Sequence, residues 1–501
     1  MRLRLKKRNQ EEQQEKKLSD FFLNSLNKIY YLKAGLIVCL FLFVFQSHGY
    51  QPTEQKWFYD GDFDIIIRNN KDTKEPLKQY YYSWALGAKA LFSDNLSNYD
   101  AFSMEFERLT PDFEKSNSTW SKFLFAEYHF INSIVAMRRE QELMAIWSFR
   151  TAYQGFHNVL LSNPDFKPAI KSLGMMELII GAVPEEYKWL LDLLGWEGSV
   201  TSGAGRLTSL SGNPTFKVEA TLFLAMYQCF LLQRYDEALF LIHALNGESK
   251  GGEMLKLAHL VILAKSGNST GILNYSDQNS PFSYLYFLRA EAHLQAGNYK
   301  IAIQEYNRFL ENYSGENLLK DVYYKIYVCY FLQNDLKRAE FYKNKIAEKG
   351  KEILEADRYA IMQMESERGS NKTLLEARLA MDGGFYDRSD SLLNVFMLYY
   401  KSSDVNFQLE YRYRRARLFH LTGNVDKAIE YYLLVIENQG EKSYYFAPNS
   451  ALQLGLIFSD RKEKDHAIRY LKLAQTYKRH EYKKSIDRKS RALLSQIEAG
   501  N

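Results

Sequence analysis

A helical hairpin over residues 284–310 constrains the fold of this chain more than any other stretch. Its sequence, YLYFLRAEAHLQAGNYKIAIQEYNRFL, places apolar residues at helical spacing on both sides of a turn at Gly297-Asn298. Ala290 and Ala302 lie twelve residues apart, one on each helix. Small side chains at a crossing let two antiparallel backbones approach closely. The stretch therefore predicts two helices packed through alanines, with aromatic rings at the flanks.

The same pattern recurs along the chain. A small residue opens the second helix of each unit, at successive spacings of 64, 37, 50, 39 and 39 residues. These residues are Ala238, Ala302, Ala339, Ser389, Ala428 and Ala467. Twelve residues before most of them stands another small residue, at Ala290, Ala377, Ala416 and Gly455. Two-helix units that repeat every ~34–40 residues indicate an α-solenoid. The widest gap has room for one further unit, with a helix over residues 253–265.

Composition agrees with long helices. Hydrophobic residues make up 46% of the 501, which excludes general disorder, and the chain has only nine prolines to interrupt helices. The 37 tyrosines and 32 phenylalanines either fill seams between helices or line a recognition surface. We expect an all-α fold with an N-terminal helical region and repeats over residues 217–476.

The location of charge disfavours nucleic-acid binding. Residues 1–49 hold nine Lys/Arg and four Asp/Glu, which accounts for the whole net charge of +5. The remaining residues hold 56 basic and 56 acidic side chains. Because a nucleic-acid interface needs a basic surplus, we expect no nucleic-acid partner.

The first 49 residues resemble an export signal. After a basic stretch, residues 34–45 (AGLIVCLFLFVF) are apolar and uncharged. This length suits a signal-peptide core and is too short to span a hydrocarbon layer of about 30 Å comfortably. Ser47 and Gly49 supply the small residues that cleavage requires. We expect cleavage after Gly49 and export to a periplasm or the cell exterior. An uncleaved membrane anchor is the alternative.

Residues 50–78 are expected to form an irregular segment before the helices begin. Its acidic run DGDFD, at 60–64, resembles the start of a calcium loop. However, Ile65 stands where such a loop needs glycine, and Lys71 stands where it needs a bidentate carboxylate. We therefore expect no metal site here.

Residues 79–216 are expected to form an N-terminal helical domain. Apolar periodicity predicts helices at Gln79–Ser93, Asn98–Leu109, Thr119–Met137, Glu140–Leu161 and Lys167–Ile180. Residues 181–205 then predict a short apolar helix and a glycine-rich loop. Gly203-x-Gly205 lacks both a preceding strand and a Walker lysine, so a phosphate-binding loop is not indicated.

The repeating units resemble the tetratricopeptide repeat family. The match is best in LRAEAHLQAGNYKIAIQEYNRFL (288–310), RRARLFHLTGNVDKAIEYYLLVI (414–436) and LQLGLIFSDRKEKDHAIRYLKLA (452–474). The turn glycines and opening alanines fall where that family places them, whereas the prolines that usually close each repeat are missing. The resemblance implies a tetratricopeptide-like solenoid that binds a protein or peptide in the groove lined by its first helices.

Residues 126–210 are similar to the eukaryotic tetratricopeptide-39 family and its fungal relatives. Members have, in order, a glycine, an apolar helix, a proline, a leucine-rich helix and a Gly-aromatic-x-Gly turn. The matching positions are Gly174, Leu178–Ala182, Pro184, Trp189–Leu194 and Gly195–Gly198. The resemblance implies a scaffold in which residues 195–205 cap a buried helix.

No motif for catalysis is present in the sequence. His480-Glu481 lacks the second histidine of a zinc-protease motif, and no G-x-S-x-G or kinase-type set occurs. Cys229 and Cys329 lie in apolar helical runs, where they act as small hydrophobes or, alternatively, pair in an oxidising compartment. We expect no enzyme, no cofactor and no metal.

The resemblance implies which side chains face the groove. Tyrosine and arginine dominate this set, as they do in protein-binding hot spots. The residues are Tyr284, Phe287, Glu291, Tyr324, Phe331, Arg378, Tyr413, Arg417 and His420. We expect Tyr324, Tyr413 and Arg417 to lie outside the seams between helices.

Residues 477–501 are rich in Lys and Arg and are expected to form a basic capping helix whose polar face points outward. Contact of this helix with anionic lipid or with an acidic partner is the alternative. The sequence thus predicts a non-enzymatic, exported repeat adaptor that binds a peptide or protein segment. The alternative is a membrane-anchored scaffold in an assembly of the cell envelope.

Overall fold

The computed structural model describes residues 53–181, 191, 196, 198–248, 252–275, 279–365, 371–400, 404–440, 444–480 and 482–499. Within these residues the chain forms twenty-four α-helices and no strand. The signal-like core at 34–45 and most of residues 182–197 lie outside the described part.

The N-terminal region contains eight helices. They are α1 (Thr53–Tyr59), α2 (Phe63–Asn70), α3 (Pro76–Ser93), α4 (Leu96–Lys115), α5 (Thr119–Arg138), α6 (Glu142–Ser162), α7 (Lys167–Gly181) and α8 (Val200–Thr208). The five helices that periodicity predicts correspond to α3–α7. Pro76 opens α3, because its fixed φ suits the first turn of a helix. Helix α4 runs past the predicted end because Phe113, beyond Pro111, is buried against Tyr128.

Residues 50–78 are less irregular than the sequence indicates, since α1 and α2 lie there. Phe58 of α1 and Phe63 of α2 are buried with their ring centroids 5.0 Å apart. Gln55 is also buried, and its Nε2 donates to the backbone oxygen of Thr215 at 3.1 Å. Helices of seven and eight residues are too short to show a clear apolar period, and tertiary packing holds them in place.

The glycine-rich loop predicted after residue 181 is wrong over Val200–Thr208, which forms α8. A Cβ at Gly203 would stand 2.7 Å from both the backbone oxygen of Gly174 and the backbone nitrogen of Leu178. Glycine is therefore present because α8 crosses α7 at backbone contact. Gly203 thus serves packing between the two helices, whereas a Cβ at Gly205 would meet no atom within 4 Å.

The repeat region contains sixteen further helices among the described residues. They are α9 (Lys217–Tyr227), α10 (Tyr235–Glu248), α11 (Glu253–Lys265), α12 (Ser269–Leu273), α13 (Ser283–Ala296), α14 (Tyr299–Asn312), α15 (Leu319–Leu332), α16 (Leu336–Glu348), α17 (Glu355–Glu365), α18 (Lys372–Asp382), α19 (Tyr386–Tyr400), α20 (Val405–Leu421), α21 (Val425–Asn438), α22 (Phe446–Asp460), α23 (Lys464–Thr476) and α24 (Lys483–Ala499). A π turn, Gln228–Leu232, extends α9.

Consecutive helices pack as antiparallel pairs, which confirms the solenoid prediction. We call α9, α11, α13, α15, α18, α20 and α22 the first helices and their successors the second helices. The six small residues that open second helices are all buried. Between α13 and α14, Gly297 adopts φ +83° and its N–H donates to the oxygens of His293 and Leu294, which ends the first helix in a tight turn.

Two units depart from the regular period. In the 64-residue gap, α11 occupies the predicted 253–265 range, but its partner α12 has only five residues. In the 50-residue gap, α17 is an additional helix that the sequence analysis did not predict. Asp357 at its start accepts the backbone N–H of Leu318 at 2.8 Å and of Asp321 at 3.1 Å. These bonds hold α17 across the beginning of α15.

One buried core passes through the predicted domain boundary at residue 216. It extends from Phe58 to Leu379 and includes side chains on both sides of that boundary. Cys229 and Cys329 are both buried as free thiols. Burial raises the pKa of Cys229 to about 12, so this thiol stays protonated and acts as a hydrophobe. None of the described helices is both long and apolar enough to cross a bilayer.

Candidate functional site: the cavity along the first helices

A cavity of about 1190 Å³ runs along the first helices of successive units. Its walls come from α11, α13, α15, α18, α20 and α22. Helices α3 and α5 contribute Leu91, Phe92 and Arg138. Helix α17 contributes Glu355, Ala356 and Tyr359, and α24 contributes Ser485, Ile486 and Lys489. The first helices thus form the long sides, and other elements narrow the space.

Eight of the nine side chains expected in the groove line this cavity. They are Tyr284, Phe287, Glu291, Tyr324, Arg378, Tyr413, Arg417 and His420. The ninth, Phe331, stacks on Tyr327 with 5.9 Å between ring centroids, and the Lys372 ammonium lies 4.6 Å from its centroid. The alignment with the tetratricopeptide repeat family therefore predicts eight of the nine cavity residues correctly, but Phe331 lies outside the cavity.

The expectation that these side chains lie outside the helix seams is wrong for Tyr413. Tyr413 is only 1% exposed, its ring centroid lies 5.0 Å from that of Phe446, and its hydroxyl accepts from Asn449. Tyr324 is similarly buried and packs edge-on against Tyr359. These tyrosines support the fold as well as bordering the cavity, so their truncation would affect both.

An acidic cluster lies on one side of the cavity, where α13 faces α15. Lys325 places its ammonium 2.7 Å from Glu291 Oε2 and 2.9 Å from Glu291 Oε1. The hydroxyl of Tyr306 also donates to Glu291. Burial raises the pKa of Asp321 to about 6, although Lys325 opposes this shift. Charge in this part of the cavity is largely compensated by its own neighbours.

A cluster of three arginines, Arg378 on α18 with Arg414 and Arg417 on α20, lies farther along; we call it the arginine patch. Arg417 Nη1 lies 3.4 Å from Asp382 Oδ1, and Arg414 Nη2 lies 2.8 Å from a Glu410 carboxylate oxygen. Arg378 Nη1 donates to the Tyr359 hydroxyl at 2.8 Å. No carboxylate oxygen of a described side chain lies within 4 Å of Arg378. The patch therefore carries more positive than negative charge.

Three tyrosines from separate elements meet beside the arginine patch. Tyr359 of α17 stacks on Tyr482 with a centroid separation of 6.0 Å, and Tyr445 packs edge-on against Tyr482 at 5.2 Å. Tyr445 also accepts a hydrogen bond from Arg414 Nη1 at 3.1 Å. The rings exclude water from one side of the guanidinium groups.

Sequence analysis missed α17 and the inward face of α24. The 50-residue spacing between Ala339 and Ser389 was a signal that an extra helix is inserted there. The basic C-terminal segment does form a helix, but Ser485, Ile486 and Lys489 line the cavity. Its polar residues are therefore not confined to an outer face.

The imidazole of His420, at the wall of the cavity, contacts a tyrosine hydroxyl. His420 Nδ1 lies 3.4 Å from the Tyr432 hydroxyl. Burial and then Arg417 lower the pKa of His420, which keeps the imidazole neutral at pH 7. Within the described ranges, no group of three His, Cys, Asp or Glu side chains is placed to bind a metal ion.

One repeat unit of the chain matches a known protein family. The tetratricopeptide repeat family matches residues 409–441, which span α20 and α21, so the chain contains a tetratricopeptide repeat. Among the curated proteins, none matches the chain. The resemblance of residues 126–210 to the tetratricopeptide-39 family stays a prediction.

Two solved structures of repeat proteins are similar at low identity. A monomeric mutant of IFIT1 with Gppp-AAAA is 14% identical, covers 76% of each chain and has a TM-score of 0.31. The APC/C hetero-tetramer Cut9–Hcn1 is 11% identical, covers 89% of this chain and 88% of that chain, and also has a TM-score of 0.31. Proteins of the tetratricopeptide repeat family, which matches residues 409–441, are generally non-catalytic scaffolds.

Proposed function

We propose that this protein is a non-enzymatic tetratricopeptide-type scaffold that holds a segment of a partner protein in its cavity. The observation that carries the proposal is the convergence of eight expected groove residues on one cavity of about 1190 Å³. That volume exceeds the ~300–1,000 Å³ of ordinary small-molecule pockets, which favours a peptide segment.

The lining has the composition of a protein-binding surface. Tyrosine rings offer large contact areas at a low cost in side-chain entropy, and arginines offer several fixed donors. Both residue types are enriched among binding hot spots. Because the rings and guanidinium groups of this cavity are held by hydrogen bonds and stacking, little ordering is required when a segment binds.

A cavity-filling variant tests the proposal. Ser283, in the first turn of α13, borders the cavity and is half-buried, so Ser283→Trp should occupy part of the space. Asn344→Trp is the matched control, because Asn344 is exposed on the second helix α16 and does not line the cavity. The full-length protein is panned against a library of displayed random peptides.

We expect the selected peptides to bind the wild type and the Asn344→Trp variant equally, and Ser283→Trp to lose most of this binding. The melting temperature of all three proteins should remain similar. Selection of no peptide would refute the proposal, as would selected peptides that bind Ser283→Trp unchanged.

We also propose export after cleavage behind Gly49, because residues 34–45 have the length of a signal core and Ser47 and Gly49 are small. N-terminal sequencing of the protein from its native host should begin at Tyr50. An intact N-terminus on membrane-bound protein would favour the anchored scaffold instead.

A further inference from the structure

In the arginine patch, the cations outnumber the carboxylates among the side chains that the structure describes. Three guanidinium groups share the two carboxylates of Asp382 and Glu410. Arg378 pairs with neutral groups, the hydroxyls of Tyr359 and Tyr324, rather than with a carboxylate of a described side chain. Over the whole lining, seven Lys/Arg side chains accompany four Asp/Glu side chains.

An excess guanidinium in a cavity is expensive unless an anion pairs with it. A guanidinium that is partly buried without a carboxylate partner is destabilising even after relaxation of the protein. The rings of Tyr359, Tyr445 and Tyr482 lower the local dielectric beside the patch, which strengthens attraction to any anion that enters. The planar guanidinium fork matches a carboxylate in a bidentate geometry.

We propose that the arginine patch binds the side-chain carboxylates of an acidic segment in the partner protein. This inference rests on the proposed function and names the chemistry of the segment that enters the cavity. Aspartate or glutamate of the segment would pair with Arg378, while apolar residues beside it would contact the neighbouring tyrosines.

A partner protein fits the charge distribution better than a nucleic acid does. On the α13–α15 side of the cavity, Glu291 and Asp321 engage Lys325, so the basic wall does not continue along the cavity as a phosphate backbone would require. Outside residues 1–49 the chain has no basic surplus to attract a polyanion. A segment with separate acidic and apolar residues can place its carboxylates at the arginines alone.

Three labelled peptides test the inference with the full-length protein. One alternates glutamate and leucine, and its counterparts replace glutamate with glutamine or with lysine. These three peptides have amidated C-termini. A fourth peptide has the glutamine sequence with a free C-terminal carboxylate. Affinities are measured by fluorescence anisotropy at low and at physiological salt, because the ionic contribution is screened by salt.

The glutamate peptide should bind at least about tenfold more tightly than the glutamine peptide, which is the size of a close interfacial charge pair. Arg378→Gln should remove most of this preference. Asp382→Asn should instead strengthen binding of the glutamate peptide, since it removes a carboxylate that competes for Arg417. Arg469→Gln, at an exposed position on α23, is the control and should change nothing.

The increase caused by Asp382→Asn separates a ligand site from a structural role, because damage to the fold would weaken binding in both variants. Equal affinity for the glutamate and glutamine peptides would overturn the inference. So would an unchanged preference in Arg378→Gln, binding of the glutamine peptide with a free C-terminus as tightly as the glutamate peptide, or tighter binding of a single-stranded RNA oligonucleotide.

The outcomes also separate this inference from the proposed function. If the glutamine peptide binds and Ser283→Trp blocks it, the cavity holds peptides without charge selection, and only the inference falls. If no peptide of any charge binds, the proposed function falls too.

Discussion

Replacement of Lys171 by methionine is expected to destabilise the N-terminal region by about 3–5 kcal/mol. The Lys171 side chain is 1% exposed on α7. Its ammonium lies 2.9 Å from Glu127 Oε1 on α5 and 3.1 Å from Glu219 Oε2 on α9. It also donates to the Tyr80 hydroxyl at 2.7 Å. One buried cation therefore joins four helices.

The expected loss of stability depends on which charges remain buried after Lys171 is replaced. At an effective dielectric constant near 20, two unit charges ~3 Å apart attract by about 5 kcal/mol. Methionine removes the cost of burying the ammonium, but it leaves the Glu127 carboxylate buried with Trp84 and Ser172 as its donors. Burial raises the pKa of Glu219 to about 8, despite the opposing effect of Lys171, so this carboxyl is mostly protonated at pH 7. The loss of one strong pair then dominates.

Urea denaturation with hydrogen exchange is the appropriate assay, because a solenoid can open locally. Protection should fall in α5, α7 and α9 and change little in α20–α23. Methionine retains the length and apolar volume of the lysine stem, so cavity formation contributes little.

A double variant checks the electrostatic cause. Adding Glu127→Gln to Lys171→Met should restore much of the lost stability, because the buried uncompensated charge is then gone. If the single variant loses less than about 1 kcal/mol, or the double variant is the less stable of the two, the reasoning is refuted.

Three further predictions concern the same fold. The pKa of Glu219 in the folded protein, about 8, lies above its ordinary value of 4.5. The protonated carboxyl therefore contributes to stability below pH 4.5, and this contribution is lost as the pH rises towards 8. In Glu219→Gln, the urea midpoint should therefore decrease less with pH between these two values than in the wild type. An equal decrease in both proteins would contradict this prediction. Ala302→Leu should destabilise the protein by about 1–3 kcal/mol, because the larger side chain overpacks a fully buried helix crossing. Thermal unfolding measures this loss, and no loss would mean that the repeat assignment is wrong. Arg138 Nη2 lies 2.9 Å from Asp94 Oδ2 in a buried ion pair. Asp94→Asn should destabilise the protein by about 3–5 kcal/mol, because the buried guanidinium loses this carboxylate. An unchanged urea midpoint would contradict this prediction.

The sequence by itself determined most of the longer helices and how the two helices of each regular unit pair. Apolar periodicity identified α3–α7, and the alternation of small residues with a tight glycine turn fixed the α13–α14 crossing, since both signals lie within a few turns of chain. Family register then placed Tyr284, Arg378 and Arg417 on one side of the first helices. These properties are local or repeat at a fixed period, so one sequence is sufficient to read them.

Only the tertiary structure decided what stands opposite those residues. Helix α17 and Tyr482 reach the arginine patch from outside the repeat period, and Lys171 meets Glu127 across 44 positions of sequence. The burial of Tyr413 also depends on Phe446 in the next unit. Contacts between distant residues leave no periodic mark on the chain, because they are fixed by the packing of whole helices.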